Sequence, residues 1–297
     1  MQLDEALRQI SDIRHQMARS EVFRGYRSVT VGLSGGLGLP EKEYYFDDKF
    51  AAQRGAYIDY LERTFRNIGQ ANPRESASRV MAFETYVAEL NWDAEQKRQI
   101  EKINNPMSGT ELSAYAPGVD WNAFFDGNNI PPQDRIIVTD NTAVKAIAAL
   151  YDSTDLDTLK LWEKAQISHQ ASPYLNKKMV DSRFEFTSAL NGTTEQRARW
   201  KRAVDTIDTS LGELVGEAYV AEYFPKIAKT RMDELVANLK LAMGDRIRGN
   251  DWMSPETKTA ALEKLERMEV MVGYPNKFRD YSQLPMSADD LYGNMVK

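Results

Sequence analysis

Histidine is the residue type best suited to metal binding and to acid–base chemistry near neutral pH, and this chain contains two, His15 and His169. A metal site needs several donor side chains brought together, and neither histidine has neighbours in a recognised ligand spacing. The chain contains no cysteine, and no candidate nucleophile lies in a recognisable context around either imidazole. We therefore interpret His15 as a surface residue of a helix and His169 as structural.

A glycine-rich segment near the N-terminus follows a strand candidate at residues 28–31, which is the order found in phosphate-binding loops. The segment lacks the Gly-Lys-Ser/Thr ending of such loops. Glu41 and Glu43 also follow Pro40, so negative charge lies where a phosphate would sit. The pattern instead predicts a packed turn whose glycines supply backbone positions with positive φ. Those glycines are Gly32, Gly35, Gly36 and Gly38.

An acidic corner at Asp152, Asp155 and Asp157 offers several carboxylates within six residues. A calcium loop needs oxygen ligands at alternating positions, a central glycine and a closing glutamate. The central glycine is absent here, so helix capping is the better explanation.

Four aromatic residues form a cluster in a loop-rich region. We interpret this cluster as a satellite core rather than a binding platform, because large aromatic side chains most often serve packing. Its members are Tyr115, Trp121, Phe124 and Phe125.

The elements that would position these residues are mainly helical. Apolar residues recur at helical spacing from residue 3 to residue 18, and again from Asp47 through Leu90. A second helical group begins at Asp140 or Asn141. Short strands are expected only at residues 28–31 and 136–138. The predicted fold class is therefore mainly α, a large multi-helix domain with at most a few short strands.

The segment Gly127–Asp134 is dense in turn-forming residues and is the best candidate for a boundary within the domain. It suggests two sub-lobes, residues 1–127 and residues 135–297.

The stretch from Leu211 to Leu284 predicts three helices in series. The first ends at Phe224, because Pro225 has no amide hydrogen to continue the helix and fits best at the start of the next one. The second ends near Gly249, and Ser254 is a good N-cap for the third. One face of the second helix is apolar. That face consists of Ile227, Met232, Leu235, Leu239 and Met243.

Two details complete this region. Trp252 and Met253 are expected to fill the corner between the second and third helices. Upstream, Thr193 and Gln196 have the spacing of a capping box for the start of a helix.

Several short segments combine glycine, proline and aromatic residues at the expected corners, and together they span nearly the whole chain. Their most distinctive members are Gly36, Leu37, Gly38, Leu39, Pro40, Tyr44, Tyr45, Trp252, Met253, Gly273, Tyr274, Pro275, Asp280 and Tyr281. In this order they resemble the helical N-terminal domain of the neprilysin family of zinc metallopeptidases, whose signature is GLGLP-x-x-x-YY. One departure is the shortened stretch from Phe23 to Ser34, which lacks the family's longer Asp-x-Lys-Asn/Asp-Ser excursion.

The resemblance implies a helical lid that faces a zinc domain across a closed cavity and limits substrates to peptides of modest size. The family's zinc is held by a His-Glu-x-x-His helix, which this sequence does not contain. The resemblance therefore implies that residues 1–297 are the lid domain only. The chain should hold no cofactor, its partner should be the missing zinc domain, and it should not hydrolyse peptides alone.

Charge and composition limit which other partners are expected. Lys and Arg total 38 against 44 Asp and Glu, which gives a net charge of -6. No basic block stands out, so nucleic acid is not expected as a partner. No apolar run is long enough for a membrane span, and the first residues lack the order of a signal peptide. The absence of cysteine contrasts with disulfide-rich animal members. The chain therefore looks like a bacterial member, in which cysteine-free chains are common in cytosol and periplasm alike. The sequence leaves the localisation open, and the resemblance implies a periplasmic or extracytoplasmic parent whose signal is not in this chain.

Three functional hypotheses remain open from the sequence. The first is a lid without chemistry of its own, excised or engineered as a helical scaffold, that binds peptides at most weakly. The second is one part of a split or cleaved metalloendopeptidase whose zinc half is another chain. The third is a stand-alone helical binding protein that reuses the fold.

Overall fold

The structure is a computed structural model that describes residues 36–127 and 130–295. Several predictions concern residues outside these ranges. They are the helix at residues 3–18, the strand at residues 28–31, His15, Gly32, Gly35, and residues 128 and 129 of the turn-rich segment.

The described residues form thirteen α-helices and one small sheet, so the prediction of a mainly α fold is confirmed. The helices are α1 (Glu43–Phe46), α2 (Ala51–Asn67), α3 (Pro73–Leu90), α4 (Ile100–Ile103), α5 (Gly109–Tyr115), α6 (Trp121–Gly127), α7 (Asn141–Ser153), α8 (Leu156–Ala171), α9 (Lys177–Asn191), α10 (Arg199–Tyr223), α11 (Lys226–Arg248), α12 (Pro255–Glu266) and α13 (Leu291–Met295). None of these helices is long and apolar enough to cross a membrane.

The sheet in the described residues consists of β1 (Pro106–Met107) and β2 (Ile136–Ile137). The two strands are antiparallel, with Pro106 opposite Ile137 and Met107 opposite Ile136. The extended backbone predicted at residues 136–138 is therefore present.

The chain divides into two compact units. The described part of the first comprises residues 36–127, 130–196 and 285–295, and the second comprises residues 197–284. The turn-rich segment at residues 127–134 lies inside the first unit, so the compact units divide at other positions than the two suggested sub-lobes.

The core of the first unit is built by four long helices, α2, α3, α8 and α9, which pack against one another. Helical spacing places apolar side chains on one face of each helix, and burial of these faces stabilises the unit. The largest fully buried apolar side chains of this core, to which α7 and the segment before α1 also contribute, are Leu39, Tyr57, Tyr60, Leu61, Phe65, Val80, Ile147 and Phe186. Tyr60 and Phe186 stack with ring centroids 4.9 Å apart, which joins α2 to α9.

A smaller core lies under the loop-rich region, as predicted for the aromatic cluster. Trp121 is buried there with Leu112, Ala116, Val138 and Ala148. The remaining aromatic residues of the cluster, Tyr115, Phe124 and Phe125, are partly buried against this core. The cluster is therefore a satellite core and not an open platform.

The helix ends show which capping predictions hold. The Asp155 carboxylate accepts a hydrogen bond of 2.9 Å from the Thr158 amide, so the acidic corner does cap a helix. The capping box predicted at Thr193 is wrong, because α10 starts at Arg199 and its N-cap has no side-chain hydrogen bond. Thr193 instead helps to end α9, since its carbonyl accepts a hydrogen bond from Ser188.

The second unit contains α10, α11 and α12, and their boundaries agree with the prediction of three helices in series. α10 ends at Tyr223, with a kink at Leu211 where the backbone leaves helical values (φ -124°, ψ 32°). Pro225 separates α10 from α11, and the Ser254 hydroxyl accepts a hydrogen bond of 3.2 Å from the Thr257 amide at the start of α12.

One prediction for this unit is wrong. Trp252 does not fill the corner between α11 and α12, because its side chain is 78% exposed. The corner is held by polar groups instead. The Asn250 side chain accepts a hydrogen bond from the Trp252 amide, and Lys258 Nζ donates one of 3.0 Å to the Arg248 carbonyl.

Candidate functional site

The first group of signature residues, Gly36 to Tyr45, is organised around a carboxylate that lies in the core. Glu84 of α3 is fully buried, with 0% of its surface exposed. Its Oε2 accepts hydrogen bonds from the Gly38 amide at 3.1 Å and from the Tyr45 hydroxyl at 2.8 Å. Its Oε1 accepts from the Tyr57 hydroxyl at 2.9 Å and from Gln166 Nε2 at 2.8 Å. Four donors from four parts of the chain therefore converge on one side chain.

The same network fixes the backbone of the signature segment. The Gly36 carbonyl accepts hydrogen bonds from Trp162 Nε1 at 2.8 Å and from Gln166 Nε2 at 3.0 Å. The Leu39 amide donates to the Tyr45 hydroxyl at 3.1 Å. Leu39 itself is buried, while Pro40 is exposed at the end of the segment. The segment is thus hydrogen-bonded to α8 at Gly36, to α3 at Gly38 and to α1 at Leu39.

Glycine is required in this segment because the backbone approaches aromatic rings closely. A Cβ atom at Gly36 would lie 2.1 Å from Cζ2 of Trp162, and one at Gly38 would lie 1.8 Å from the Tyr57 hydroxyl oxygen. The prediction that these glycines supply positive φ is wrong, since the positive-φ glycines of the described residues are Gly69, Gly192 and Gly273. Space, rather than backbone conformation, excludes a side chain at both positions.

Tyr45, Tyr44 and Leu37 of this group differ in role. Tyr45 is buried and takes part in the carboxylate network. Tyr44 stacks on Phe50 with ring centroids 3.9 Å apart, and Leu37 packs on the main core.

Burial dominates the electrostatics of Glu84. It raises the pKa of the carboxyl group to about 7, although the four hydrogen bonds act in the opposite direction. The pKa values of Tyr45 and Tyr57 are also raised well above their usual range, first by burial and then by the nearby Glu84 charge. Both phenols therefore remain protonated donors at neutral pH.

Sequence reasoning missed Glu84, although a signal for it exists. Glu84 lies one position after Phe83, four after Val80 and three before Val87, so it falls within the apolar stripe of α3. A carboxylate on the buried face of an amphipathic helix needs partners inside the core.

His169 packs beside the main core without acting as a ligand. Its Nδ1 lies 3.1 Å from the Tyr60 hydroxyl, and the two rings meet edge to face at 5.6 Å. Burial, and then the nearby Arg183 charge, lower the pKa of His169 to about 4. The imidazole is therefore neutral at physiological pH and structural in role.

The second group of signature residues lies in the second unit. Gly273 has a φ of 70°, and a Cβ atom there would lie 3.2 Å from the Phe224 ring. Tyr274 packs against Phe224 with ring centroids 5.5 Å apart, and its carbonyl accepts a hydrogen bond of 2.7 Å from Lys229 Nζ. These contacts fold the segment after α12 back onto the start of α11.

The remaining residues of this group are near the surface. The Asp280 carboxylate accepts a hydrogen bond of 2.8 Å from the Ser282 amide, which lowers its pKa. Tyr281 and Met253 are half-buried, whereas Pro275 and Trp252 are exposed. The signature residues of the second unit therefore do not form a shared ligand site within that unit.

The second unit exposes most of its large apolar side chains. Within residues 197–284, Gly244 is the only buried residue. The residues of the apolar face predicted for α11 are all exposed. We call the following residues the exposed apolar set: Trp200, Val204, Ile207, Leu214, Val215, Tyr219, Tyr223, Ile227, Met232, Leu235, Leu239, Leu241 and Met243.

The exposed apolar set follows helical spacing. Trp200, Val204 and Ile207 share one side of the first half of α10, and Tyr219 and Tyr223 are one turn apart in its second half. A face of this kind is unusual on a free protein surface.

A metal site is not found in the described residues. No group of three or more histidine, cysteine, aspartate or glutamate side chains in these ranges is placed to hold a metal ion. The donor set of this part of the chain therefore does not fit a zinc centre.

Comparison with known proteins decides the family. The chain matches the family model described as Peptidase family M13 over residues 23–275. The chain belongs to peptidase family M13. The matched region is the N-terminal domain of this neprilysin family of zinc metallopeptidases, so the predicted resemblance to that domain is confirmed.

Individual M13 relatives agree with this assignment. Endothelin-converting enzyme 1 of Rattus norvegicus is 26% identical over 265 residues, which cover 86% of this chain and 35% of the relative. Neprilysin-1 of Caenorhabditis elegans is 26% identical over 285 residues, which cover 88% of this chain and 38% of the relative.

Solved structures show the same fold. The zinc metalloprotease Zmp1 of Mycobacterium tuberculosis in its open state matches 99% of this chain with a TM-score of 0.79 and 28% identity, and 51% of its own chain is covered. PepO of Lactobacillus rhamnosis is 18% identical with a TM-score of 0.73 and shows the fold alone. This M13 chain thus spans about a third to a half of the length of these relatives.

Proposed function

We propose that this chain is the non-catalytic helical lid of a zinc metalloendopeptidase. In the complete enzyme the lid encloses one side of the substrate cavity and restricts the size of the peptides that enter. The zinc ion and the groups that activate water belong to a separate C-terminal domain. The observation that carries this proposal is the exposed apolar set on residues 197–284, a unit of three long helices in which only Gly244 is buried.

The energetics of the second unit support a missing partner. Helices in water are marginal unless an apolar face is packed, so α10, α11 and α12 need burial that residues 197–284 do not give one another. Each large apolar side chain moved from solvent into a packed interface contributes about 1.5–3 kcal/mol. A surface of this character fits an obligate interface with a second domain better than contact with a passing ligand.

Coverage and chemistry support the identity of that partner. This chain spans 35% of the endothelin-converting enzyme 1 chain and 51% of the Zmp1 chain, so about two thirds of the first and about half of the second have no counterpart here. Zmp1 is a zinc metalloprotease, whereas the described residues of this chain offer no metal-binding group. The catalytic machinery is therefore assigned to the part of the relatives that this chain lacks.

Association with a C-terminal M13 domain tests the proposal. The full chain is mixed with the C-terminal domain of its parent or of Zmp1, and complex formation is measured by analytical ultracentrifugation. Complex formation is expected, and the Leu239→Asp variant should weaken it at least tenfold, because a charge would enter an apolar interface.

Asn238→Asp is the matched control, since Asn238 is an exposed polar neighbour of Leu239 on α11. It should bind like the wild type. A chain that stays monomeric and shows no association with either domain would contradict the proposal. Equal binding by both variants would contradict the role of the exposed apolar set.

A further inference from the structure

Glu84 forms a site with two different kinds of donor on each carboxylate oxygen. One donor on each oxygen is a fixed N–H group, from the Gly38 backbone on Oε2 and from the Gln166 side chain on Oε1. The other is a rotatable phenol, Tyr45 on Oε2 and Tyr57 on Oε1. The ionised carboxylate therefore has its lone pairs satisfied by neutral groups.

The part of the chain that the structure describes supplies no compensating positive charge to Glu84. No lysine, arginine or histidine of the described residues forms an ion pair with Glu84. The titratable groups that face the carboxylate are Tyr45 from α1 and Tyr57 from α2, while α8 and the signature segment contribute the neutral Gln166 and Gly38. A buried anion without a countercharge is costly, which is why burial raises the pKa of Glu84 to about 7.

The protonated form also fits this site. A proton on Oε1 can be donated to the Tyr57 hydroxyl oxygen if that hydroxyl turns its own hydrogen away, and Tyr45 can act in the same way on Oε2. A phenol is both donor and acceptor, so only a hydroxyl rotation separates the two states. The N–H donors keep their positions in both.

The segment from Gly36 to Pro40 covers this site. It has no helix or strand of its own, so its release need not unfold any helix. Gly38 contributes a donor directly, and Leu39 is tied to Tyr45, which also donates to Glu84. Detachment of the segment would remove one donor and open the carboxylate to water.

We propose that Glu84 is a proton-operated latch that holds the Gly36–Pro40 segment against the helices when protonated and weakens that attachment when ionised. The reason is thermodynamic linkage. An exposed carboxyl group in the opened form binds a proton less tightly than the buried group does, so proton release favours opening. The latch makes the attachment of the signature segment dependent on pH around neutrality.

Hydrogen exchange of the Gly38 and Leu39 amides in the full chain tests the latch. Exchange rates divided by the intrinsic rate at each pH give the opening constant of the segment. This constant should rise roughly 50-fold between pH 5 and pH 8.5, with most of the rise between pH 5 and pH 7. A constant that is independent of pH, or that falls as pH rises, would overturn the proposal.

Two variants identify the responsible group. Glu84→Gln cannot ionise and should make the opening constant independent of pH, whereas Glu89→Gln, an exposed glutamate on the same helix, should retain the wild-type dependence. An unchanged rise in Glu84→Gln would overturn the proposal. If Glu84→Gln does not fold, Tyr57→Phe serves instead, because loss of a donor to the ion should move the end of the rise to higher pH. An unmoved rise in Tyr57→Phe would equally overturn it.

Discussion

The hydroxyl of Tyr57 donates a hydrogen bond of 2.9 Å to the fully buried carboxylate of Glu84, across 27 positions of sequence. This contact joins α2 to α3, the helix pair at the centre of the first unit. The same carboxylate holds the Gly38 amide, so one side chain connects the helical core to the signature segment. The M13 signature glycines therefore act in packing and anchoring.

Tyr57→Phe should destabilise the chain in a pH-dependent way. The variant removes a hydrogen bond to a buried carboxylate, and bonds to charged groups contribute about 1.5–3 kcal/mol. We expect a loss of that size in the free energy of unfolding at pH 8.5 and a smaller loss at pH 5, where Glu84 is protonated. Urea denaturation at both pH values measures the difference. Tyr86→Phe, at an exposed position of α3, is the control and should change stability little at either pH.

Gly38→Ala should destabilise the first unit more than an ordinary glycine substitution. The new Cβ atom would lie 1.8 Å from the Tyr57 hydroxyl oxygen, so the core must shift, at a cost of about 1–3 kcal/mol or more. Gly55→Ala is the matched control, because nothing lies within 4 Å of a Cβ atom there and the position is inside α2. It should raise stability by up to about 1 kcal/mol. Equal thermal shifts of the same sign in both variants would contradict the account of the segment.

The stability of the chain should carry a component from Glu84 that falls as pH rises. The folded-state pKa of about 7 is above the ordinary value of 4.5, so the folded state binds the proton more tightly between these values. This stabilising contribution is fully present below pH 4.5 and is lost as pH rises to 7, a change of about 3 kcal/mol. The difference in unfolding free energy between wild type and Glu84→Gln, followed from pH 4.5 to pH 8, should show this decline. A difference that is flat across the range would disprove it.

His169 should contribute a pH dependence of the opposite sign. Its folded-state pKa of about 4 is below the ordinary 6.5, so the folded state favours the neutral imidazole. The contribution is fully present above pH 6.5 and is lost as pH falls towards 4. His169→Gln should therefore lose less stability on acidification than the wild type, measured by thermal unfolding. His15→Gln controls for the other histidine of the chain and should follow the wild type.

The helices of this fold were predictable because they are encoded locally. Apolar spacing marked α2 and α3, and Pro225, Gly249 and Ser254 marked the boundaries of the later helices. The capping prediction at Thr193 is wrong because α10 starts only at Arg199, whereas Gly192, with a φ of 75°, ends α9.

The network around Glu84 was not predictable in detail, because its partners lie up to 82 positions away in sequence, as Gln166 does. Spacing along α3 can show that a carboxylate faces the core but not which donors meet it. The prediction of positive φ at Gly36 and Gly38 is wrong for the same reason. The close approach of Trp162 and Tyr57 is a tertiary contact and leaves no local pattern.

The exposed side chains of the second unit show a different limit of prediction from sequence. Periodicity placed Leu235 and Leu239 on an apolar face, and they do share one, but periodicity cannot tell what covers that face. In this chain both side chains are exposed, at 49% and 59%. The prediction that Trp252 fills the corner between α11 and α12 is wrong for the same reason.

The most direct test of the proposed lid function is zinc content and peptidase activity in one experiment. The chain alone, a C-terminal M13 domain alone and their mixture are assayed with a quenched peptide, and bound zinc is measured in each purified component. We predict no zinc and no cleavage in the chain alone, and zinc in the C-terminal domain. In the mixture we predict chelator-sensitive cleavage, with this chain either restoring activity to the C-terminal domain or changing which peptides it cleaves. One equivalent of zinc and chelator-sensitive cleavage in this chain alone would contradict the account.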